Sequence, residues 1–318
     1  MLKSISKWRV RFMSSLFIID SHAKADNKNP KIKSLISFFV EQAEHPNVHV
    51  LVARNQLKNN IIGILIAKKT QKSKIMIDYI YVNKFYRNLD IGNSLIAHLE
   101  QKCSNQGISN ITIMFDYKNN AMKALTKKER GWSNGEVLNA YSFSNRTSME
   151  PVLRTLEQSL SRRAVKCEIR SLLEYNLEDF IKETQMNDLP EWARLNNYSL
   201  EFVSKELSRV FLHNDQLVGW LITRVDPRGA LYYRTLWVND AYRRTGIAIK
   251  ALTQVVRQAH FASNIKSNSS SNQLGHPYHS GLFIFNSKNQ LMTKFVNKRL
   301  LQAISQKTKL LCREKGIA

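Results

Sequence analysis

Val82-Asn83-Lys84-Phe85-Tyr86-Arg87-Asn88-Leu89-Asp90-Ile91-Gly92 is echoed 156 residues later by Val238-Asn239-Asp240-Ala241-Tyr242-Arg243-Arg244-Thr245-Gly246-Ile247-Ala248. Each copy joins an apolar, β-rich run to a basic turn, and the turn to an amphipathic helix. A turn that feeds a strand into a helix is a natural anion cradle, because the first N–H groups of the helix have no intrahelical partner and point outward. Its recurrence points to an internal repeat of a whole domain rather than to a chance motif.

The elements around each copy follow one plan. In the first half, Ile32, Leu35, Ile36 and Phe39 repeat at helical spacing after Pro30. Val48 to Ala53 and Ile61 to Ala67 read as a hairpin, and Ile75 to Val82 as the strand that enters the turn. Leu95, Ile96, Leu99 and Cys103 then mark one helical face, which Gly107 ends. Ile111 to Phe115 reads as a strand, Asn120 to Glu129 as a helix and Val137 to Phe143 as a closing strand.

In the second half, a helix over Leu177 to Thr184 precedes strands at Arg209 to Leu212, Leu217 to Val225 and Ala230 to Val238. The second turn leads into a helix with Ile249, Leu252 and Val256 on its buried stripe. Ser263 to Gln273 reads as a surface insertion, Gly281 to Phe285 as a strand, and a helix starts near Lys288. The expected fold class is α/β, with two similar domains, each a mixed and mainly antiparallel sheet flanked by helices. The rhythm lapses around Pro151 and Arg162-Arg163, which divides the chain into domains at 1–148 and 169–318 joined by a linker at 149–168.

The 318 residues are 43% hydrophobic, enough for two real cores, and carry a net charge of +23. Such a balance draws in polyanionic ligands, nucleic acid or an anionic surface, and does not choose among them. Cys103, Cys167 and Cys312 are scattered, without zinc spacing or a disulfide framework. No metal site is expected, and a reducing, cytoplasmic setting fits best. The apolar stretch from Trp8 to Ile19 is broken by Arg9 and Arg11, which suits a short strand or amphipathic segment rather than a membrane span.

With these motifs in hand, the chain resembles the Gcn5-related N-acetyltransferase superfamily in a tandem arrangement. That family places an Arg/Gln-x-x-Gly-x-Gly/Ala turn between its fourth strand and third helix, where backbone amides hold the pyrophosphate of acetyl-coenzyme A. Arg243-Arg244-Thr245-Gly246-Ile247-Ala248 satisfies the pattern completely. Arg87-Asn88-Leu89-Asp90-Ile91-Gly92 keeps its Arg and last Gly, but Asp90 stands in place of the first glycine. A carboxylate there repels a phosphate, and its alternative use is to cap the helix that follows. The first domain is therefore the degenerate copy, and either binds the cofactor or serves a structural or dimer-forming role. Asn120-Ala121-Met122 and Gly131-Trp132 match the family's late asparagine, helix and Gly-aromatic pattern, and Asn289 is the equivalent asparagine of the second half.

The resemblance implies an acetyl-coenzyme A-dependent N-acetyltransferase. The implied cofactor-binding residues are Leu236, Trp237, Val238, Arg243, Arg244, Thr245, Gly246, Ile247, Ala248 and Asn289, with Tyr81, Val82, Arg87 and Gly92 in the first half. Backbone N–H groups at Val238 and Val82 are placed to polarise the thioester carbonyl. The catalytic acid and base stay unassigned. Thr126 and Phe295 stand where the family's acidic tyrosine is expected, and Asp78, a candidate base, corresponds to Arg234. Tyr232 and Tyr233 line either a substrate groove or, more simply, a packed sheet. The acceptor is a small-molecule or peptide amine of unassigned identity. Two alternatives stay open: a non-catalytic paired scaffold, and a nucleic-acid-associated protein, disfavoured because the cationic residues look dispersed. Oligomeric state is unassigned.

Overall fold

The computed structural model describes residues 17–20, 46–144, 153–154, 157, 167–184, 189, 193, 203–225, 230–267 and 280–317. The expected helix after Pro30, most of the 149–168 linker and the end of the serine-rich insertion lie outside them, as does the segment from Trp8 up to residue 16. Two compact units form, Met1–Glu136 with Leu311–Ala318, and Val137–Leu310.

In the first unit β1 (Phe17–Asp20), β2 (Val48–Asn55), β3 (Ile61–Gln71), β4 (Lys74–Val82) and β5 (Asn110–Asp116) lie side by side in that order. β1 to β4 are antiparallel, whereas β5 joins β4 in parallel. A parallel pair needs a crossover, and α1 (Ile91–Ser104) provides it, lying on β2, β3 and β4. Its buried face is Ile91, Leu95, Ile96, Leu99 and Cys103, the stripe expected from the spacing. Residues Ile61 to Lys68 of β3 are buried without a break, as befits a central strand covered on both faces. The expected helix over Asn120 to Glu129 is shorter: α2 (Asn120–Leu125) stops at Thr126, whose hydroxyl bonds back to the Met122 carbonyl at 2.7 Å while Arg313 donates to its own carbonyl.

In the second unit the order is β6 (Glu136–Ser144), β11 (Ser280–Asn286), β10 (Ala230–Val238), β9 (Gln216–Val225), β8 (Arg209–His213) and β7 (Glu168–Ser171). Here too one pair is parallel, β10 with β11, among antiparallel neighbours. Between these strands run α3 (Leu177–Thr184), α4 (Ile247–Ser267) and α5 (Gln290–Arg299). The terminal strand β12 (Ile304–Gly316) gives its first residues to this unit and those from Leu311 onward to the first.

The strand that closes the first half of the sequence is thus built into the second unit, where β6 pairs with β11 from Leu138 opposite Asn286 to Ser144 opposite Ser280. Side chains explain the pairing. Phe143 lies over Gly281, where an added Cβ would come within 2.1 Å of its ring. Tyr141 stacks on Phe285 at 5.4 Å, and Tyr233 on Phe283 at 4.5 Å. Tyr233 is 3% exposed, so it packs the sheet rather than lining a groove. Among the described residues no helix is long and apolar enough to cross a membrane.

Two outcomes follow from this packing. Gly281→Ala forces Phe143 off its seat, and chemical denaturation should show a loss of roughly 1–3 kcal/mol; an unchanged midpoint would refute the seating. His49 is buried with its Nε2 unpartnered, and burial, reinforced by Lys102 and Lys69, lowers its pKa from 6.5 to about 4. The unfolded chain therefore takes up the proton first as pH falls, so stability is full above about 6.5 and declines toward 4, by at most roughly 3 kcal/mol. His49→Gln should flatten that part of the stability–pH curve.

Candidate functional site

Both parallel pairs come apart in the same way. β4 pairs with β5 only from Lys74 opposite Asn110 to Ile77 opposite Ile113, and the next residue, Asp78, is a bulge against β3. β10 pairs with β11 only from Ala230 opposite Ser280 to Tyr233 opposite Phe283, and the next residue, Arg234, is a bulge against β9. A bulge bends its strand and increases the local twist. Beyond it the strand keeps its antiparallel neighbour and leaves the parallel one, and in the first unit Ile80, Tyr81 and Val82 of the freed stretch line a cleft together with the start of α1.

The two turns share a hydrogen-bond scheme. Asn83 Oδ1 accepts from Phe85 N at 3.1 Å, and Asn239 Oδ1 from Ala241 N at 3.1 Å. Asn83 N donates to the Ile62 carbonyl and Asn239 N to that of Val218, at 2.8 and 2.9 Å. Arg87 Nε donates to the Val82 carbonyl at 3.3 Å, and Arg243 Nε to that of Val238, also at 3.3 Å. In each copy the motif arginine thus ties the turn to the strand end. Arg243 has a further ion pair with Asp240 at 2.6 Å.

Asp90 and Gly246 both take the left-handed conformation, at φ 59° and 83°. Aspartate is among the few residues that tolerate it, so the backbone of the turn survives the substitution. The expected helix cap does not form. Asp90 makes no side-chain cap bond to α1, and its carboxylate instead accepts from the Asn93 side-chain amide. Among the described residues no side chain caps the first turn of α1, and the residues of that turn line a cleft of about 620 Å³. Tyr81, Val82, Arg87 and Gly92 all lie in its wall, with Asn119 and Leu125 from the opposite side. Orphaned donors at a cleft mouth are what a diphosphate needs. In the second unit, Thr245 Oγ1 lies 3.4 Å from Ile247 N and bonds firmly to the Tyr242 carbonyl at 2.6 Å. Arg244, Thr245 and Gly246 connect β10 to α4, and Ile247 and Ala248 begin that helix.

Of the remaining expected residues, Val238 is buried at the strand end, and Leu236 packs on the main core. Trp237 turns to the opposite face, 4.5 Å from Trp220, which leaves only its backbone for a ligand. Asn289 caps α5, accepting from Met292 N at 3.0 Å. Its counterpart is Asn119, which caps α2 through Met122 N at 3.1 Å, one residue before the Asn120 that the sequence pattern suggested. Counted from those caps, Val296 rather than Phe295 corresponds to Thr126, and both are fully buried. Neither half presents a phenol at this place.

Asp78, in a bulge exposed along its backbone, is ion-paired through its carboxylate with Lys68 at 3.5 Å. Burial, reinforced by Arg224, lowers the pKa of the corresponding Arg234. Tyr232 carries the Arg224 guanidinium over its ring at 4.9 Å. The three cysteines are free thiols, and burial pushes Cys103 and Cys312 up to about 11, away from nucleophilic use.

A bulged strand parting from its parallel neighbour, with a helix start in the gap, defines an acyl-coenzyme A N-acyltransferase fold. The sequence profile of the acetyltransferase (GNAT) family matches residues 13–132 and again 169–269. The chain belongs to that family, as two copies of its domain. Among solved structures, a tandem GNAT protein from the clavulanic acid biosynthesis pathway aligns at TM-score 0.60 with 10% identity, covering 95% of this chain and 99% of its own. A GCN5-related N-acetyltransferase from Sphaerobacter thermophilus aligns at 0.58 with 13% identity, over 95% and 96%. At these identities the likeness is one of fold. No curated protein matches the sequence.

Proposed function

We propose that the protein is an acetyl-coenzyme A-dependent N-acetyltransferase whose acceptor is a small-molecule or peptide amine, and that both turns are built to hold the cofactor's diphosphate. The observation that carries this reading is the uncapped start of α1, whose residues Ile91, Gly92 and Asn93 line the cleft beside the parted strand. The first unit is thereby the better-supported cofactor site by geometry, and the second by its glycine, although Thr245 competes for part of the same helix start. The halves 1–148 and 169–318, joined by 149–168, are taken as the two copies of the duplicated sequence unit. Three free thiols fit the cytoplasmic setting.

When bound, the cofactor supplies an activated acetyl thioester. The chain's own residues orient and polarise it. The helix starts, with Gly92 and Gly246 leaving room for close approach, would hold the diphosphate, Arg87 and Arg243 brace the turn against the strand, and N–H groups along the parted edge near Val82 and Val238 would polarise the thioester carbonyl. With Thr126 and Val296 fully buried, neither is the proton donor to the leaving thiolate.

Calorimetry of the full-length protein with acetyl-coenzyme A tests this. Gly246→Glu and Gly92→Glu each place a carboxylate in one cradle, and each should abolish one site and leave the other. Unchanged binding in the double variant would overturn the motif assignment. No heat with the parent protein, together with tight and salt-dependent binding of DNA or RNA, would replace it with the nucleic-acid scaffold.

A further inference from the structure

The cleft of the first unit carries a polar chain that the matching positions of the second unit lack. The side-chain amide of Asn93 donates to the Asp90 carboxylate and accepts from the guanidinium of Arg130. Asp90 and Asn93 belong to the start of α1, whereas Arg130 ends the 3₁₀ turn Lys128–Arg130 that follows α2, and all three line the cleft. In the second unit the matching places are Gly246, Ile249 and, for Arg130, Leu300 counted from the Asn289 cap or Ala303 at the end of the turn Leu301–Ala303. The carboxylate, the amide and the guanidinium are thus present together in one unit and absent together in the other.

This pattern compensates for charge. Asp90 puts a negative charge where a diphosphate has to sit. Arg130 brings a positive one to the same place from the far wall, on an exposed side chain whose fork can pair with two phosphate oxygens. We propose that Arg130 is a diphosphate-binding residue of the first cleft: its guanidinium rests on Asn93 in the free protein and turns to the phosphate oxygens of bound coenzyme A. This rests on the reading of the first cleft as a cofactor site. It also makes the departure at Asp90 half of a paired change rather than decay.

The test is calorimetry with coenzyme A on full-length Gly246→Glu protein, which silences the second cradle. Adding Arg130→Ala should weaken binding roughly tenfold or more and lessen its dependence on salt, and Arg130→Lys should recover part of the loss. The loss should be as large with 3′-dephospho-coenzyme A, which keeps the diphosphate, and should persist when Asp90→Gly is added. Full recovery in the Asp90→Gly, Arg130→Ala protein would show that Arg130 only balances Asp90, and would overturn the proposal. So would a loss that disappears with the dephospho compound. If the Gly246→Glu parent binds no coenzyme A, the cofactor reading of the first cleft falls, and Arg130 with it.

Discussion

In each unit a bulge against the antiparallel neighbour coincides with the point where the parallel pairing ends, and the candidate site is arranged around that parting. At Asp78 and at Arg234 the bulged strand keeps its hydrogen bonds to one neighbour and swings away from the other. Main-chain donors and acceptors on the freed edge then need a partner, because leaving them buried and unpaired is costly. Part of the need is met internally, by Arg87 at the Val82 carbonyl and Arg243 at the Val238 carbonyl. The remainder is met by solvent or by whatever occupies the gap. A helix started in that gap faces the same shortage at its first turn. A ligand rich in acceptors answers both.

The duplicated turns show how far side chains can drift while a backbone holds. Asn83 and Asn239 make the same bond, the two arginines make the same bond, and Asp90 adopts the left-handed conformation that Gly246 adopts. What differs is the chemistry beside the turn. One copy offers glycine beside apolar residues. The other offers a carboxylate joined through an amide to a guanidinium.

Most strands and the α1 stripe were legible because burial imposes a period on the residues that face the core. Leu95, Ile96, Leu99 and Cys103 are one face of a helix whatever lies beneath them. The site was legible only where local chemistry decides it, as in the basic turn and the glycine at 246. Arg130 carried no signal, because its tie to Asn93 spans 37 residues and depends on how two helices approach. Which asparagine caps α2 is not legible in the sequence because Asn119 and Asn120 adjoin, and only the geometry shows that Asn119 bonds Met122. Nothing in the alternation of β6 names its neighbour. That choice lies in Phe143 meeting Gly281, a fit between residues far apart in the chain.

The division of the chain also reverses an order usually taken for granted. Domains tend to fold as they leave the ribosome, the earlier one first. Here the second unit is a continuous run, Val137–Leu310, and is fully synthesised before the first, which waits for Leu311–Ala318. Until then β5 of the nascent first unit lacks the neighbour that covers its outer edge. An uncovered strand edge is a template for pairing with other chains. For as long as translation of the later half takes, that edge stays open, and any stall in that interval lengthens its exposure.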